Sequence, residues 1–271
     1  MLLLGEAGTG RSALARRLHA LSPRAAGPLV ELDPGSFPSG LLESELFGHR
    51  PGAFTGATGT GAGRVERAEG GTLLFDRVED LPLPAQPKLL RLLAEHRYTP
   101  LGGAERVADV RFLAIAGEDL PERVERGAFR RDLFHRLEVV AFRVPALRER
   151  RSELPALLDD LVKDLAERFA RPELALAPEA RAWMLAHSWP GNLRELRNVL
   201  ERAAVLSAAD LLDPAPSPGA EAAAPRSLQA LEIDAIRRAL AHTRGRQEKA
   251  AELLGISRKA LWEKRKRYGL P

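Results

Sequence analysis

Apolar and polar positions alternate along the first half of the chain, with short apolar runs separated by longer stretches of helical spacing. The short apolar runs are Leu2–Leu4, Leu29–Leu32, Thr72–Phe75 and Val110–Ile115. Between them, the stretches Ser12–Leu21 and Pro84–His96 repeat apolar residues at helical steps. This alternation predicts an α/β fold in which helices cover a parallel sheet.

From about Pro145 the pattern is helical, with apolar residues at three- and four-residue steps. These residues are Leu154, Leu157, Leu158, Leu161, Val162 and Leu165, followed by Leu193, Leu196, Val199, Leu200 and Ala203. Residues 213–226 are rich in proline and small residues and cannot bury a core. We therefore expect an α/β subdomain over 1–145, a helical subdomain over 146–212, a linker over 213–226 and a small all-α domain over 227–271.

A glycine-rich segment between the first predicted strand and the first predicted helix has the pattern of a phosphate-binding loop. Glycines let backbone N–H groups close around phosphate oxygens, and the helix N-terminus adds a partial positive charge. The candidate nucleotide-binding residues are Gly5, Glu6, Ala7, Gly8, Thr9, Gly10, Arg11 and Ser12. Arg11 stands where the pattern has lysine. The alternative is a glycine-rich turn that binds no ligand.

The predicted strand Thr72–Phe75 runs directly into a carboxylate, Asp76. In phosphate-loop proteins such a carboxylate and a serine hydroxyl help to hold the Mg²⁺ of a bound nucleotide. We therefore expect Ser12 and Asp76 to hold Mg²⁺ together with a nucleotide. A different loop, Leu41–Ala57, carries an aromatic residue between glycines, which indicates an exposed contact surface.

The end of the chain has the pattern of two short helices joined by a glycine turn. A predicted helix over Gln247–Leu254 is followed by Gly255 and Ile256, and then by a basic helix over Ser257–Tyr268 with Ser257 as its N-cap. This spacing predicts a helix-turn-helix, and the alternative is a basic solvated helix without a DNA role.

Charge is divided unevenly along the 271 residues, whose net charge is +4 and whose pI is about 9.7. Residues 226–271 carry 12 Lys and Arg against 5 Asp and Glu, a net charge of +7, whereas the rest carries 29 basic and 32 acidic residues, a net charge of −3. A basic tail on a slightly acidic body favours two anionic partners, phosphate for the body and nucleic acid for the tail.

Other features of the sequence exclude whole classes of function. The absence of cysteine excludes disulfides, thiolate catalysis and cysteine zinc sites. No apolar run approaches the roughly 18 residues of a membrane span. We therefore expect a cytoplasmic protein with no membrane contact.

Seven motifs in this order closely resemble the AAA+ domain of bacterial sigma-54-dependent activators. They are GEAGTGRS, ESELFGH, GAFTGA, GGTLLFD, FRRDLFHRL, PALRER and WPGNLREL. The resemblance covers nearly the whole chain and implies an AAA+ P-loop NTPase fold, a parallel sheet with a helical lid. It also implies ATP and Mg²⁺ as cofactors and the sigma-54 RNA polymerase holoenzyme as a partner.

The resemblance assigns roles to individual residues. The implied sigma-54 contacts are Gly52, Ala53, Phe54, Thr55, Gly56 and Ala57. Arg130 and Arg136 resemble the arginines that reach the γ-phosphate of a neighbouring subunit, which implies a homo-oligomer, from a dimer up to a hexameric ring. With Asp76 they are the candidate catalytic residues, and Arg194 resembles the nucleotide-sensing arginine of the lid.

The tail resembles the Fis-type helix-turn-helix that ends these activators, which implies double-stranded DNA as a partner. By that resemblance the base-edge contacts are Arg258, Lys259 and Trp262, and the phosphate contacts are Lys264, Arg265, Lys266 and Arg267. The helix over Leu231–His242 would supply a dimer contact, so that binding is to two-fold sites.

Several positions depart from the family, and they cluster at hydrolysis. Arg77 stands where the family has the water-orienting glutamate, Gly117 ends a strand that normally ends in Thr-Asn, and Asp33 replaces an asparagine. Together with Arg11 these changes predict weak or absent hydrolysis, because losing one such group lowers rates by about 10²–10⁵. Arg77 and Asp33 are expected to form an ion pair instead.

The phosphate-loop strand begins directly after Met1, whereas the family has an upstream segment that contributes to the adenine pocket. We therefore expect an N-terminally short form. Three functions remain open: a working sigma-54 activator, a nucleotide-responsive DNA-binding regulator with little or no ATPase activity, and an AAA+ machine for another substrate. The GAFTGA sequence argues against the third.

Overall fold

The computed structural model describes residues 1–53, 59–207, 211–212, 247, 261–262, 264–265 and 268. The chain divides into two compact units, Met1–Ala215 and Pro216–Pro271. The first unit holds the predicted sheet and the helices that follow it, and the second holds the basic tail.

The first unit contains a five-stranded parallel sheet with the order β2-β3-β6-β1-β7. Its strands are β1 Leu2–Leu4, β2 Leu29–Leu32, β3 Thr72–Phe75, β6 Arg111–Ala116 and β7 Ala141–Arg143. The short strands β4 Arg97–Tyr98 and β5 Arg106–Val107 form an antiparallel pair, and β8 Ala175–Leu176 pairs with β9 Leu211–Leu212. Four strands of the main sheet follow the apolar runs of the sequence, which confirms the α/β prediction.

Helices pack on both faces of this sheet, as a parallel sheet requires. The helices of the first unit are α1 Arg11–Ala20, α2 Ser39–Phe47, α3 Arg64–Arg67, α4 Gln86–Glu95, α5 Leu120–Glu125, α6 Arg131–Glu138, α7 Leu154–Arg168, α8 Pro178–Ala186 and α9 Asn192–Leu206. Short 3₁₀ turns lie at Pro34–Ser36, Val78–Asp80, Leu147–Glu149 and Arg151–Glu153. Strand β3 lies between β2 and β6 and is buried throughout, which explains its apolar residues Leu73–Phe75.

The helices α7, α8 and α9 have a core of their own. Leu158, Leu196 and Leu200 are fully buried in it, beside the indole of Trp189. Trp189 Nε1 donates a hydrogen bond to the carbonyl of Met184 at 2.9 Å, so the one polar atom of this large side chain is satisfied. This second core makes the segment a helical subdomain beside the sheet.

The described residues of the second unit are helical: Gln247, Leu261, Trp262, Lys264, Arg265 and Tyr268. Leu261 is buried, whereas the indole of Trp262 is 55% exposed. The predicted turn at Gly255 and the N-cap at Ser257 lie outside the described residues, as does the helix predicted over Leu231–His242. Among the described helices, none is long and apolar enough to cross a membrane.

Candidate nucleotide site

The phosphate-binding loop connects β1 to α1 and has a backbone that requires glycine. Gly8 and Gly10 have φ angles of +81° and +98°, in the left-handed region. A Cβ atom on Gly8 would lie 2.3 Å from the carbonyl oxygen of Gly191. No side chain among the described residues caps the N-terminus of α1, so its first N–H groups are available to a phosphate.

Ser12 and Asp76 meet at the carboxyl edge of the sheet. The Ser12 hydroxyl donates a hydrogen bond to Asp76 Oδ2 at 3.0 Å, between the first turn of α1 and the end of β3. A hydroxyl and a carboxylate at this distance are the hard oxygen ligands that suit Mg²⁺. The donor set and the glycine cradle therefore fit a nucleotide with its metal ion, and the sequence prediction of a Ser12–Asp76 pair agrees with this geometry.

Arg11 turns across the loop toward the neighbouring strand β6. Its Nη1 donates a hydrogen bond to the carbonyl oxygen of Ala116, the last residue of that strand. Burial lowers the pKa of the Arg11 guanidinium, and the carboxylates of Glu79 and Asp76 act in the opposite direction. The Arg11 cation is therefore bound to the protein backbone.

The predicted ion pair between Arg77 and Asp33 is confirmed. Arg77 Nη2 donates to Asp33 Oδ2, and its Nη1 lies 3.6 Å from Asp80 Oδ2. Asp33 also accepts hydrogen bonds from Gly35 N at 3.0 Å and from the Ser36 hydroxyl at 2.9 Å. Burial alone would raise the pKa of Asp33, but the bonds from Arg77 and Ser36 bring it below its ordinary value. The residue at position 77 is therefore a guanidinium that is paired with a carboxylate of the protein.

The peptide unit between Ala116 and Gly117 follows the end of β6, and both of its polar atoms bind charged groups. Its oxygen accepts from Arg11, and its N–H donates to Glu79 Oε1 at 2.8 Å. Sequence reasoning did not single out Glu79. No motif marks it, and its location follows only from the 3₁₀ turn after Asp76, which carries it toward β6.

Asn192, at the start of α9, is a second residue that sequence reasoning missed. It is fully buried and has a positive φ of 53°. Its Oδ1 accepts from Leu147 N at 2.7 Å, and its Nδ2 donates to Glu6 Oε2 and to the carbonyl of Ala7, both at 3.1 Å. The asparagine of the WPGN sequence therefore ties the lid to the phosphate-binding loop.

Further contacts hold the loop and the lid together. Arg148 forms a two-point ion pair with Glu6, with Nη1 to Oε2 at 2.7 Å. This pair and the bond from Asn192 lower the pKa of Glu6 to about 2. Arg150 Nη2 donates to the carbonyl of Thr9 at 3.0 Å. These contacts hold the loop in place against the lid.

Arg194, the predicted lid sensor, lies on α9 beside the loop. The N–H of its neighbour Leu193 donates to the carbonyl of Gly8 at 2.9 Å, and a Cβ on Gly8 would lie 3.1 Å from Arg194 Cβ. The Arg194 side chain is exposed. The structure therefore brings Arg194 to the same side of the molecule as the phosphate-binding loop.

The two predicted trans-acting arginines lie on α6 or directly before it. Arg130 is exposed and binds Asp132 through Nε at 3.0 Å and Nη2 at 2.7 Å. Arg136 donates to the carbonyl of Leu93 at 3.0 and 3.2 Å, at the carboxyl end of α4. A role for either residue on a neighbouring subunit stays a prediction.

The predicted sigma-54 loop begins from a narrow stem. His49 forms bridges with Gly61 and with Leu101, and a Cβ on Gly61 would collide with the His49 ring at 2.3 Å. Gly52 has a φ of +78°, and Ala53 N donates to the carbonyl of Arg50 at 3.1 Å. The other predicted contacts, Phe54, Thr55, Gly56 and Ala57, lie outside the described residues.

The predicted DNA contacts are described only in part. Trp262, Lys264 and Arg265 lie on helical backbone in the second unit. Arg258, Lys259, Lys266 and Arg267 lie outside the described residues.

Three family models match the chain in succession. The Sigma-54 interaction domain matches residues 1–143, the AAA+ ATPase lid domain matches residues 148–227, and the Fis family of bacterial regulatory proteins matches residues 227–268. The first match alone covers more than half of the chain. The chain belongs to the sigma-54-dependent transcriptional regulators. The predicted AAA+ fold with a helical lid and a helix-turn-helix domain is thereby confirmed.

Individual relatives agree with this assignment. The C4-dicarboxylate transport transcriptional regulatory protein DctD of Rhizobium meliloti is 42% identical, over 100% of this regulator and 59% of its own length. The alginate biosynthesis transcriptional regulatory protein AlgB of Pseudomonas aeruginosa is 41% identical, over 100% of this chain and 62% of its own length. The regulator therefore spans about three fifths of the length of these relatives.

A solved structure of a relative also matches this regulator. NtrX from Brucella abortus, in complex with ATP, is 34% identical with a TM-score of 0.74, over 99% of this regulator and 63% of that chain. The same protein has also been crystallised in complex with ADP.

Proposed function

We propose that this chain regulates sigma-54-dependent transcription, binds ATP with Mg²⁺ at the loop Gly5–Ser12 and binds double-stranded DNA through residues 227–271. It contacts the sigma-54 RNA polymerase holoenzyme through the loop Gly52–Ala57, in the bacterial cytoplasm. The observation that carries nucleotide binding is the glycine loop with uncapped helix N–H groups beside the Ser12–Asp76 pair. The NtrX complexes with ATP and ADP support the same ligand.

Each residue of the site has a task in this proposal. The backbone N–H groups of Gly8 and Gly10 hold phosphate oxygens, and Ser12 and Asp76 hold Mg²⁺, which neutralises phosphate charge when it is bound. Arg194 approaches the nucleotide from the lid. Because Glu6 and Asn192 already fix the loop to the lid, little ordering is needed when a nucleotide binds.

The catalytic arginines of the proposal act between subunits. Arg130 is exposed, and the flat surface around it is lined by Arg131, Asp132 and His135. A guanidinium on this surface is available to a phosphate on a neighbouring copy, where it would stabilise transition-state charge. The proposed assembly is a homo-oligomer, from a dimer to a hexameric ring, so activity rises with protein concentration.

A second candidate is a nucleotide-responsive DNA-binding regulator with little or no ATPase activity. The Arg77–Asp33 pair favours it, because a guanidinium bound to a carboxylate cannot accept a proton from water. Glycine at position 117 and the hydrogen bond from Arg11 to Ala116 also favour little or no ATPase activity. We propose that the chain hydrolyses ATP slowly, at a rate between those that the two candidate functions imply.

The discriminating experiment measures promoter opening by the sigma-54 holoenzyme and ATP turnover with the same purified chain, over a range of protein concentrations. We expect ATP-dependent opening, with a turnover that rises by about tenfold or more when Arg77→Glu restores a carboxylate. Nucleotide-sensitive DNA binding without opening would favour the second candidate. An absence of ATP binding would overturn both.

A further inference from the structure

One buried carboxylate beside the candidate site has an oxygen without a hydrogen-bond partner. Glu79 is only 9% exposed, and its Oε1 accepts from Gly117 N at 2.8 Å. Its Oε2 is buried without a partner among the described residues. An unsatisfied buried carboxylate oxygen destabilises the protein, so its retention calls for an explanation.

The position of Glu79 is set by the fold. It lies in the 3₁₀ turn Val78–Asp80 that follows Asp76, and Val78 is fully buried and anchors that turn in the core. The turn leaves the carboxyl end of β3 next to the carboxyl end of β6. Because the phosphate-binding loop leaves β1 at the same edge, the Glu79 carboxylate belongs to the ligand-binding edge of the sheet.

The Glu79 carboxylate occupies the space that a side chain at position 117 would need. A Cβ on Gly117 would lie 3.2 Å from Glu79 Oε1 and 2.3 Å from Asp119 Oδ1. A polar side chain at position 117 would therefore compete with the carboxylate of residue 79. Glycine at position 117, directly after β6, therefore leaves room for the carboxylate that the turn Val78–Asp80 carries.

Charges around Glu79 tie it to the phosphate-binding loop. Arg11 favours the ionised form of Glu79, and Glu79 in turn opposes the lowering of the Arg11 pKa by burial. Asp80 opposes ionisation of Glu79, and Arg123 binds its backbone carbonyl at 3.2 Å. Burial raises the pKa of Glu79, which makes this carboxylate a stronger proton acceptor once it is ionised.

An oxygen in this situation needs a hydrogen-bond donor. A phosphate oxygen would repel the carboxylate, whereas water offers a hydrogen. We propose that Glu79 accepts the hydrogen bond of the hydrolytic water in this regulator, in place of the carboxylate that Arg77 replaces. The proposal rests on the proposed binding of ATP at the loop Gly5–Ser12.

The chemical step follows from this geometry. The water oxygen forms a bond to the γ-phosphorus, and the bond from that phosphorus to the bridging oxygen of ADP breaks. The water proton passes to the Glu79 carboxylate and is then released to phosphate or solvent. The products are ADP and inorganic phosphate. Because Gly117 N–H holds Oε1, Oε2 is the oxygen left to accept from the water.

The test is single-turnover hydrolysis of γ-labelled ATP by the full chain, with protein in excess, for the wild type, Glu79→Gln and Glu79→Asp. The glutamine keeps the shape and the bond from Gly117 but accepts no proton. We expect Glu79→Gln to lower the turnover rate by about 10²-fold or more. The aspartate keeps a carboxylate, so we expect it to retain more activity than the glutamine.

ATP affinity and the melting temperature are measured on the same samples, because a merely structural role would change both. We expect the affinity of Glu79→Gln to stay within about twofold of the wild type, since the loop Gly5–Ser12 is untouched. Glu122→Gln is the matched control. Its carboxylate is exposed on α5 and pairs with Arg126, so its turnover is expected to stay within about threefold of the wild type.

Equal turnover of Glu79→Gln and the wild type would overturn the assignment and leave the proposed function standing. ATP binding without any turnover in the wild type would overturn it as well. Equal losses in the Gln and Asp variants, accompanied by lower melting temperatures, would reduce Glu79 to a structural residue. An absence of ATP binding would instead overturn the proposed function itself.

Discussion

At the scale of the residue, Glu6 shows how one side chain links the phosphate-binding loop to the lid. Its carboxylate accepts hydrogen bonds from Arg148 and Asn192, and these bonds lower its pKa from 4.5 to about 2. A carboxyl whose pKa is lower in the folded state stabilises that state above its unfolded pKa. The contribution is lost as the pH falls through the folded pKa.

Glu6→Gln is therefore expected to lower the free energy of unfolding above about pH 5, and by progressively less between pH 4.5 and pH 2. Urea unfolding at a series of pH values measures this difference. Glu167→Gln is the control, since Glu167 is exposed on α7. A Glu6→Gln difference that is independent of pH would contradict the assignment of the Glu6–Arg148 pair.

The sequence predicted part of the site at this scale. Ser12 and Asp76 were predictable because each belongs to a short motif. The Arg77–Asp33 pair was predictable because a cation and a carboxylate appear together at two positions where the chain departs from the family. Glu79 and Asn192 were not, because their partners lie far along the chain. Glu79 meets a backbone N–H in β6, and Asn192 reaches residues of the phosphate-binding loop. Only a folded chain brings such groups together.

At the scale of the element, the start of α9 holds the lid on the sheet domain. Buried Asn192 donates to Glu6 Oε2 and to the carbonyl of Ala7, and the Leu193 N–H donates to the carbonyl of Gly8. Three hydrogen bonds at one helix end give this contact a defined geometry. The contact also determines where Arg194 lies.

Asn192→Ala leaves the buried N–H of Leu147 without its partner, so we expect it to lower the free energy of unfolding by about 1–3 kcal/mol. Weaker ATP binding should accompany the loss, because the loop is no longer fixed to the lid. Asn198→Ala, on the exposed face of the same helix, is the control and should change stability by less than about 0.5 kcal/mol. Equal stabilities of the two variants would refute this role.

Elements were predicted from the sequence unevenly. Strands β1, β2, β3 and β6 follow apolar runs, because a parallel sheet buries them on both faces. The pattern did not predict β7, Ala141–Arg143, whose three residues are exposed and lie at the edge of the sheet next to β1. The apolar run Val139–Phe142 overlaps this strand, but its large side chains are exposed, so the strand is defined by its pairing with β1 and not by burial.

At the scale of the whole molecule, the chain joins a slightly acidic body to a basic tail. The net charge is −3 before residue 226 and +7 from there on. The boundary between the two compact units lies close to this position, after Ala215. Two units with opposite charge are expected to bind their anionic ligands independently.

Deletion of Ser227–Pro271 is therefore expected to remove salt-sensitive binding of double-stranded DNA and to leave ATP affinity within about twofold of the wild type. Fluorescence anisotropy at several salt concentrations measures the first effect, and titration with ATP measures the second. Unchanged DNA affinity in the truncated chain would show that the basic tail is not the DNA-binding unit.

The central claim is that the loop Gly5–Ser12, with Asp76, forms a site for ATP and Mg²⁺. Calorimetric titration of ATP into the full chain, with and without Mg²⁺, tests it most directly. We expect one ATP bound per chain, tighter binding with Mg²⁺, and loss of that gain in Ser12→Ala but not in Ser22→Ala, since Ser22 lies beyond the end of α1. No ATP binding, or a Mg²⁺ effect that Ser12→Ala leaves intact, would contradict it.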